Sequence, residues 1–120
     1  MPGTDPDAIL NLAAALERVG GDQELLEEVA QLFLETSPGL LGEIQQAVQV
    51  QDAQLLERAA HTLKGSVSNF GAEAAFQAAL HLEKMGRSRN LRGSEDALRA
   101  LQAEMERLRP ALAGLGAGSR

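Results

Sequence analysis

The chain has 120 residues, the size of one domain, and its 17 acidic and 11 basic residues give a net charge of −6. This balance, together with the absence of tryptophan and tyrosine, argues against nucleic acid or an anionic membrane as a partner. The absence of cysteine excludes disulfides, thiolate metal sites and a cysteine nucleophile, and with no signal peptide and no apolar run near the roughly 20 residues of a membrane span, we expect a cytoplasmic protein.

The composition is rich in Ala, Leu, Glu and Gln and poor in β-branched residues, which is typical of helices. The first helix is predicted over 6–18. Asp5 would be its N-cap and Pro6 its first helical residue, an arrangement that favours helix initiation. Gly20 and Gly21 would end it.

The second helix is predicted over 23–50, after Asp22. Its apolar residues recur at helical spacing and stay in phase on both sides of Pro38. A proline inside a helix removes one hydrogen bond and bends the helix. The continuous stripe therefore favours one long kinked helix, with two separate helices as the alternative.

Three more helices are predicted over 53–70, 72–85 and 95–112. Asp52 is the expected N-cap of the first of them, and Gly86 the expected end of the second. The core side of the 53–70 helix is predicted to carry Leu56, Ala59, Leu63, Val67 and Phe70. The 95–112 helix shows a bundle seam of Leu98, Leu101, Met105, Leu108 and Leu112.

Short connections between long amphipathic helices favour antiparallel neighbours. We therefore predict an all-α single domain over 1–113, an antiparallel four-helix bundle with an extra short N-terminal capping helix. The Gly-rich tail, 114–120, is expected to be flexible. A bundle that closes its own core is expected to be a monomer. The segment 87–93 is predicted to be a loop. Its basic residues, together with those before it, either steer an acidic partner surface or are simply solvated: Lys84, Arg87, Arg89 and Arg92.

His61 does not fit a purely structural interpretation. At 100° per residue it lies nearly opposite the predicted core stripe, on a polar face that also carries Glu57 and Arg58. Gly65 lies one turn further along the same face, although glycine costs a helix about 0.5–1 kcal/mol relative to alanine. This combination suggests either that another molecule approaches the ring closely or that His61 and Lys64 belong to an ordinary solvated helix face. Lys64 adds a cation that could neutralise an anion on the imidazole.

The segment 60–72, AHTLKGSVSNFGA, resembles the signature of histidine phosphotransfer (HPt) domains, His-x-Leu-Lys-Gly-Ser followed after a few residues by Gly-Ala. The similarity extends over about 25–112. Further family-like residues are Phe33-Leu34-Glu35 with Pro38, Asp52 with Leu55-Leu56, and Leu82-Glu83. Val67 departs from the family pattern but faces the core. Glu83 stands where some members carry Gln facing the phosphoacceptor, and its role stays open because a carboxylate there could repel a phosphoryl group.

The resemblance implies a phosphohistidine carrier without kinase activity of its own, and whether it counts as an enzyme is left open. His61 would be the phosphoacceptor, reacting at Nε2 with the phosphoaspartate of a response-regulator receiver domain, and Lys64 would stabilise the added charge. Gly65 would admit the receiver, with Glu57 and Arg58 beside the acceptor. Ser68 would either hydrogen-bond the phosphoryl group or cap locally. No cofactor or metal is expected in this chain, since Mg²⁺ would belong to the receiver.

The implied partners are a receiver domain and a sensor or hybrid histidine kinase. Two alternatives remain: a phosphoacceptor domain loaded directly by a chemotaxis-type histidine kinase, and a non-catalytic helical adaptor that binds receivers. A metal site using His61 and His81 is disfavoured, because bundle metal sites need Glu-x-x-His pairs, which the sequence lacks. His81 is predicted to be a surface or half-buried residue of the bundle.

Overall fold

A computed structural model describes residues 9–117, and the side chains of residues 9–115. Five helices follow one another along the chain. They are α1 (Leu12–Arg18), α2 (Gln23–Val50), α3 (Ala53–Ser68), α4 (Glu73–Ser88) and α5 (Ser94–Ala117). The all-α prediction is confirmed. Among these residues no helix is both long and apolar enough to cross a membrane.

The four long helices form the bundle. Connections of two to five residues join successive helices, which makes them antiparallel neighbours. Within the described residues α3 packs on α2 and α4, and α5 packs on the same two helices. α3 and α5 lie diagonally opposite, with no Cα atoms within 8 Å of each other. This arrangement leaves the outer face of α3 open beside α4.

The core consists of the apolar stripes predicted from the sequence. All five residues predicted for α3 and all five of the α5 seam are buried. Phe33 of α2 meets Phe70 edge to face, with ring centroids 5.5 Å apart. Burial of these side chains supplies most of the driving force for folding.

α2 runs without interruption through Pro38, so the prediction of one long helix is confirmed over two. Asp22 caps α2, which begins after it as predicted, and Asp52 is the N-cap of α3 as predicted. The Asp22 carboxylate accepts a hydrogen bond from the backbone N–H of Leu25, and Asp52 accepts one from Leu55, both at 3.0 Å. Each cap satisfies a backbone donor that would otherwise lack a partner.

The predicted start of the first helix is wrong. α1 begins at Leu12, because Asn11 is its N-cap and accepts a hydrogen bond from the N–H of Ala14. The backbone N–H of Asn11 also donates to the carbonyl of Phe70 at 2.9 Å, which holds residues 9–11 non-helical over the turn between α3 and α4. The predicted cap, Asp5 with Pro6, lies outside the described residues. The N-terminal element does pack against the main bundle, with Ala15 fully buried.

The bounds of the three remaining predicted helices, 53–70, 72–85 and 95–112, also differ. α3 ends at Ser68, two residues early, and Gly71 with φ +61° makes the turn to α4. α4 continues through Gly86 to Ser88, because this glycine is buried against α3 and does not end the helix. α5 begins at Ser94 and extends to Ala117, so the part of the predicted tail up to residue 117 is helical; Leu115 packs against the core there. Residues 118–120 of that tail lie outside the described residues.

Candidate functional site

His61 projects from the outer face of α3. Its side chain is 65% exposed, whereas Leu56 and Leu63 on the opposite face are fully buried. The His61 ring and the apolar core residues therefore lie on opposite faces of α3, as the spacing of its polar and apolar residues predicts.

Glu83 of α4 faces this ring. Its side chain is 1% exposed, and its Oε2 lies 2.9 Å from Nδ1 of His61. The carboxylate is thus a buried group that contacts one specific nitrogen of an exposed ring. The sequence left the role of Glu83 open, and the structure places it on the inner edge of the imidazole.

Two permanent cations neutralise this buried carboxylate. Nζ of Lys64 lies 2.8 Å from Oε1 of Glu83, and Nη2 of Arg87 donates to Oε2 at 2.7 Å. Burial raises the pKa of the Glu83 carboxyl, but the hydrogen bonds and charges of Lys64 and His61 outweigh burial and hold the pKa below its ordinary value. Glu83 is therefore ionised at neutral pH.

An ionised carboxylate can only accept hydrogen bonds. The contact with Glu83 consequently requires that Nδ1 of His61 carries the proton and donates it. In a neutral imidazole the other nitrogen, Nε2, then holds the free lone pair. The geometry leaves a nucleophilic nitrogen on the exposed edge of the ring.

Arg87 links the two helices beside the ring. Besides its bond to Glu83, its Nε donates to Oε2 of Glu57 on α3 at 3.2 Å. Gly86 permits this proximity, since a Cβ at this position would lie 2.6 Å from the backbone nitrogen of Glu57. The missing side chain lets α4 approach α3 closely enough for its polar residues to reach those of α3.

An open cleft of about 430 Å³ surrounds the exposed edge of His61. Its lining includes Glu57 and Arg58, two of the predicted site residues. Gly65 lies outside this lining but is exposed, and a Cβ there would meet no atom of the described chain within 4 Å. Packing within the protein thus gives no reason for glycine at position 65. The hydroxyl of Ser68 donates to the carbonyl of Gly65 at 2.7 Å. Of the two roles predicted for Ser68, this contact corresponds to the local cap and not to a bond with a phosphoryl group.

Arg87 is not among the site residues identified from the sequence, because the sequence predicts a loop over 87–93. It belongs to the last turn of α4. The available signal was its spacing of four residues from Glu83, which places opposite charges on one helix face. His81, as predicted, is exposed. In the part of the chain that the structure describes, no group of three or more His, Asp or Glu side chains is arranged to hold a metal ion.

Both the sequence and the fold of this chain match known proteins. The model of the Hpt domain family matches residues 28–111. The fold is similar to the crystal structure of histidine-containing phosphotransfer protein B from Pseudomonas aeruginosa, with a TM-score of 0.86 and 22% sequence identity over 95% of this chain and 99% of that chain. No curated protein gives a significant match. Because the family model covers more than half of the sequence, the chain belongs to the Hpt domain family.

Proposed function

We propose that this Hpt domain is a phosphorelay intermediate that accepts a phosphoryl group on Nε2 of His61 from a receiver-domain phosphoaspartate and passes it to another receiver aspartate. The observation that carries the proposal is the contact between Glu83 and Nδ1, which leaves Nε2 exposed with its lone pair. Exposure suits a carrier, because the active sites of two proteins must share one phosphoryl group.

The transfer is balanced without loss of a proton. The Nε2–P bond forms as the aspartyl O–P bond breaks, and the leaving carboxylate keeps the electron pair. The proton on Nδ1 stays in place, so the phosphorylated ring becomes cationic. Glu83 lies directly against that proton, and its negative charge stabilises the cationic ring. The reverse step restores the neutral imidazole with the same proton on the same atom.

The remaining site residues have supporting roles in this proposal. Lys64 balances Glu83 in the resting site and supplies positive potential one turn from the acceptor. Gly65 leaves room for the receiver backbone beside the ring. Ser68 supports the helix locally through its bond to the Gly65 carbonyl. Mg²⁺ would be held by the carboxylates of the receiver.

The proposal also explains why a carboxylate is tolerated so close to a phosphoryl group. Glu83 faces Nδ1, on the inner side of the ring, whereas the phosphoryl group would be attached to Nε2 on the outer side. Lys64 and Arg87 cancel much of its negative charge. The expected repulsion is therefore weakened by both distance and neutralisation.

A panel of radiolabelled phospho-receivers tests this function. Wild-type protein should acquire acid-labile, alkali-stable label, and His61→Gln should acquire none while its circular dichroism is unchanged. His81→Gln is the matched control, because it removes the other, exposed histidine of the chain. Label on His61→Gln would refute the assignment. Label acquired only from ATP with a histidine kinase would favour the kinase-loaded alternative, and binding to receivers without label would favour the adaptor.

A further inference from the structure

Charge is distributed unevenly along the chain. Residues 53–93, which form α3, α4 and the loop before α5, contain six basic and three acidic residues, a net charge of +3. The rest of the chain contains five basic and 14 acidic residues, a net charge of −9. The half of the bundle that carries His61 is therefore opposite in sign to the protein as a whole.

The structure increases this contrast. Two of the three acidic residues, Glu57 and Glu83, are occupied in ion pairs with Arg87 and Lys64. Four other cations are exposed and make no ion pair within residues 9–117; we call them the basic surface: Arg58, Lys84, Arg89 and Arg92. The uncompensated charge around the site is thus positive.

Two members of the basic surface, Arg58 and Arg89, lie along the side of the bundle that carries His61. Arg58 lines the cleft at the ring, and Gln54 lines both this cleft and a neighbouring depression at the α2–α3 turn. Arg89 lines that second depression together with one carboxylate, that of Asp52, which accepts the N-cap hydrogen bond of α3. Arg58 and Arg89 therefore extend positive charge from the acceptor ring to the end of the bundle where α4 turns toward α5, and Arg92 follows in that connection.

We propose that the basic surface attracts and orients an acidic partner surface, namely the carboxylate-rich rim around the phosphoacceptor of a receiver domain. This inference rests on the proposed function. Exposed charges act over a Debye length of about 10 Å at moderate ionic strength, and such fields raise association rates by roughly 10- to 1,000-fold. They change the rate of encounter more than the strength of the final complex. Nucleic acid and anionic lipid are disfavoured, because the remainder of the chain, at −9, would repel an extended polyanion.

The test compares two charge-reversal variants in receiver-to-His61 transfer at subsaturating protein. Arg89→Glu/Arg92→Glu alters the basic surface. Arg99→Glu/Arg109→Glu makes the same change in net charge on α5, which does not contact α3 among the described residues. Arg99 pairs with Asp96 at an exposed position, where the loss of the pair costs little. Labelling by phosphoramidate, a small donor, gives each protein a partner-free reference for the ring chemistry.

We expect the first variant to transfer about tenfold more slowly than wild type at low ionic strength, with the difference disappearing as salt screens the charges. The α5 variant should stay within about twofold of wild type. Equal slowing of both variants would overturn the proposal in favour of a net-charge effect. Equal transfer rates for all three proteins would also overturn it. The same holds if Arg89→Glu/Arg92→Glu loses binding to anionic lipid vesicles while its transfer from the receiver is unchanged. If wild type is labelled by phosphoramidate but by no receiver, the proposed function fails and the inference falls with it.

Discussion

Two glycines in the interiors of neighbouring helices have opposite surroundings. Gly86 of α4 is buried, and a Cβ there would lie 2.6 Å from the backbone nitrogen of Glu57 and 2.7 Å from the carbonyl oxygen of Ala53. Gly65 of α3 is exposed, and a Cβ there would contact nothing in the described chain within 4 Å. The same residue type thus serves packing at one position, whereas at the other nothing inside the protein requires it.

Gly86 therefore belongs to the part of the candidate site that packing within the protein builds, and Gly65 to the part for which we propose a binding partner. Gly86 brings α4 against α3, so that Glu83 and Arg87 reach His61 and Glu57. Gly65 leaves the outer surface bare beside the ring. Substitutions at and around the two positions can test each half of this contrast.

Gly86→Val should have the largest effect. The added atoms would meet backbone, which cannot move aside as a flexible side chain can, so the free energy of unfolding should fall by about 3 kcal/mol. Urea denaturation measures this loss. Gly42→Val is the control, because Gly42 lies inside α2 with open space around it and reports helix propensity alone. Equal losses in both variants would show that Gly86 does not set the distance between α3 and α4.

Glu83→Gln tests the charge that Gly86 helps to place. A buried ionised acceptor with several charged partners should contribute about 2 kcal/mol at neutral pH. The pKa of Glu83 is lowered in the folded protein, so its contribution is present above the ordinary glutamate pKa and is lost as pH falls through the folded-state value. The difference in Tm between variant and wild type should therefore shrink below about pH 4. A difference that is constant with pH, or equal to that of the exposed control Glu28→Gln, would contradict this interpretation.

Gly65→Gln should separate transfer from stability. Glutamine is a better helix former than glycine, so the free energy of unfolding should rise or stay level. Receiver-dependent transfer should slow by about tenfold, because the new side chain occupies the approach to the ring. Rapid-quench transfer assays and urea denaturation measure the two quantities, with Gly42→Gln as control. An unaltered transfer rate would remove the steric argument for this glycine.

Glu57→Gln should have the smallest effect, below about 0.5 kcal/mol, because its ion pair with Arg87 is partly exposed on both sides. Urea denaturation checks it. The substitution leaves the backbone contact between Glu57 and Gly86 intact and so isolates the side-chain pair. A loss above about 1 kcal/mol would show that the pair, and not the backbone contact, fixes the distance between the helices.

Local patterns predicted much of this fold. The burial of Leu56, Leu63 and Val67 followed from helical periodicity, and the cap at Asp52 from its position before an apolar stripe. Boundaries failed where a local signal competed with tertiary contacts. Gly86 reads as a terminator in sequence, yet α4 continues because the glycine packs against α3.

The candidate site likewise combines residues that a local motif predicts with a contact that depends on how two helices pack. His61, Lys64 and Gly65 lie close together on α3, so a linear motif predicts all three as candidate site residues. Glu83 lies 22 residues after His61, and its contact depends on the register of α4 against α3, which no local pattern specifies. The direction of the Glu83 side chain decides whether this carboxylate would oppose or support the proposed phosphoryl transfer.

The hydrogen bond between His61 and Glu83 also has a regiochemical consequence. Histidine can form two isomeric phosphoramidates, one at each ring nitrogen, and they differ in chemical stability. With one nitrogen covered by a buried carboxylate and the other exposed, the protein would produce a single isomer. The phosphoryl group would then always be presented to a receiver in the same orientation. That orientation would be set by α4, a helix that the phosphoryl group need not contact.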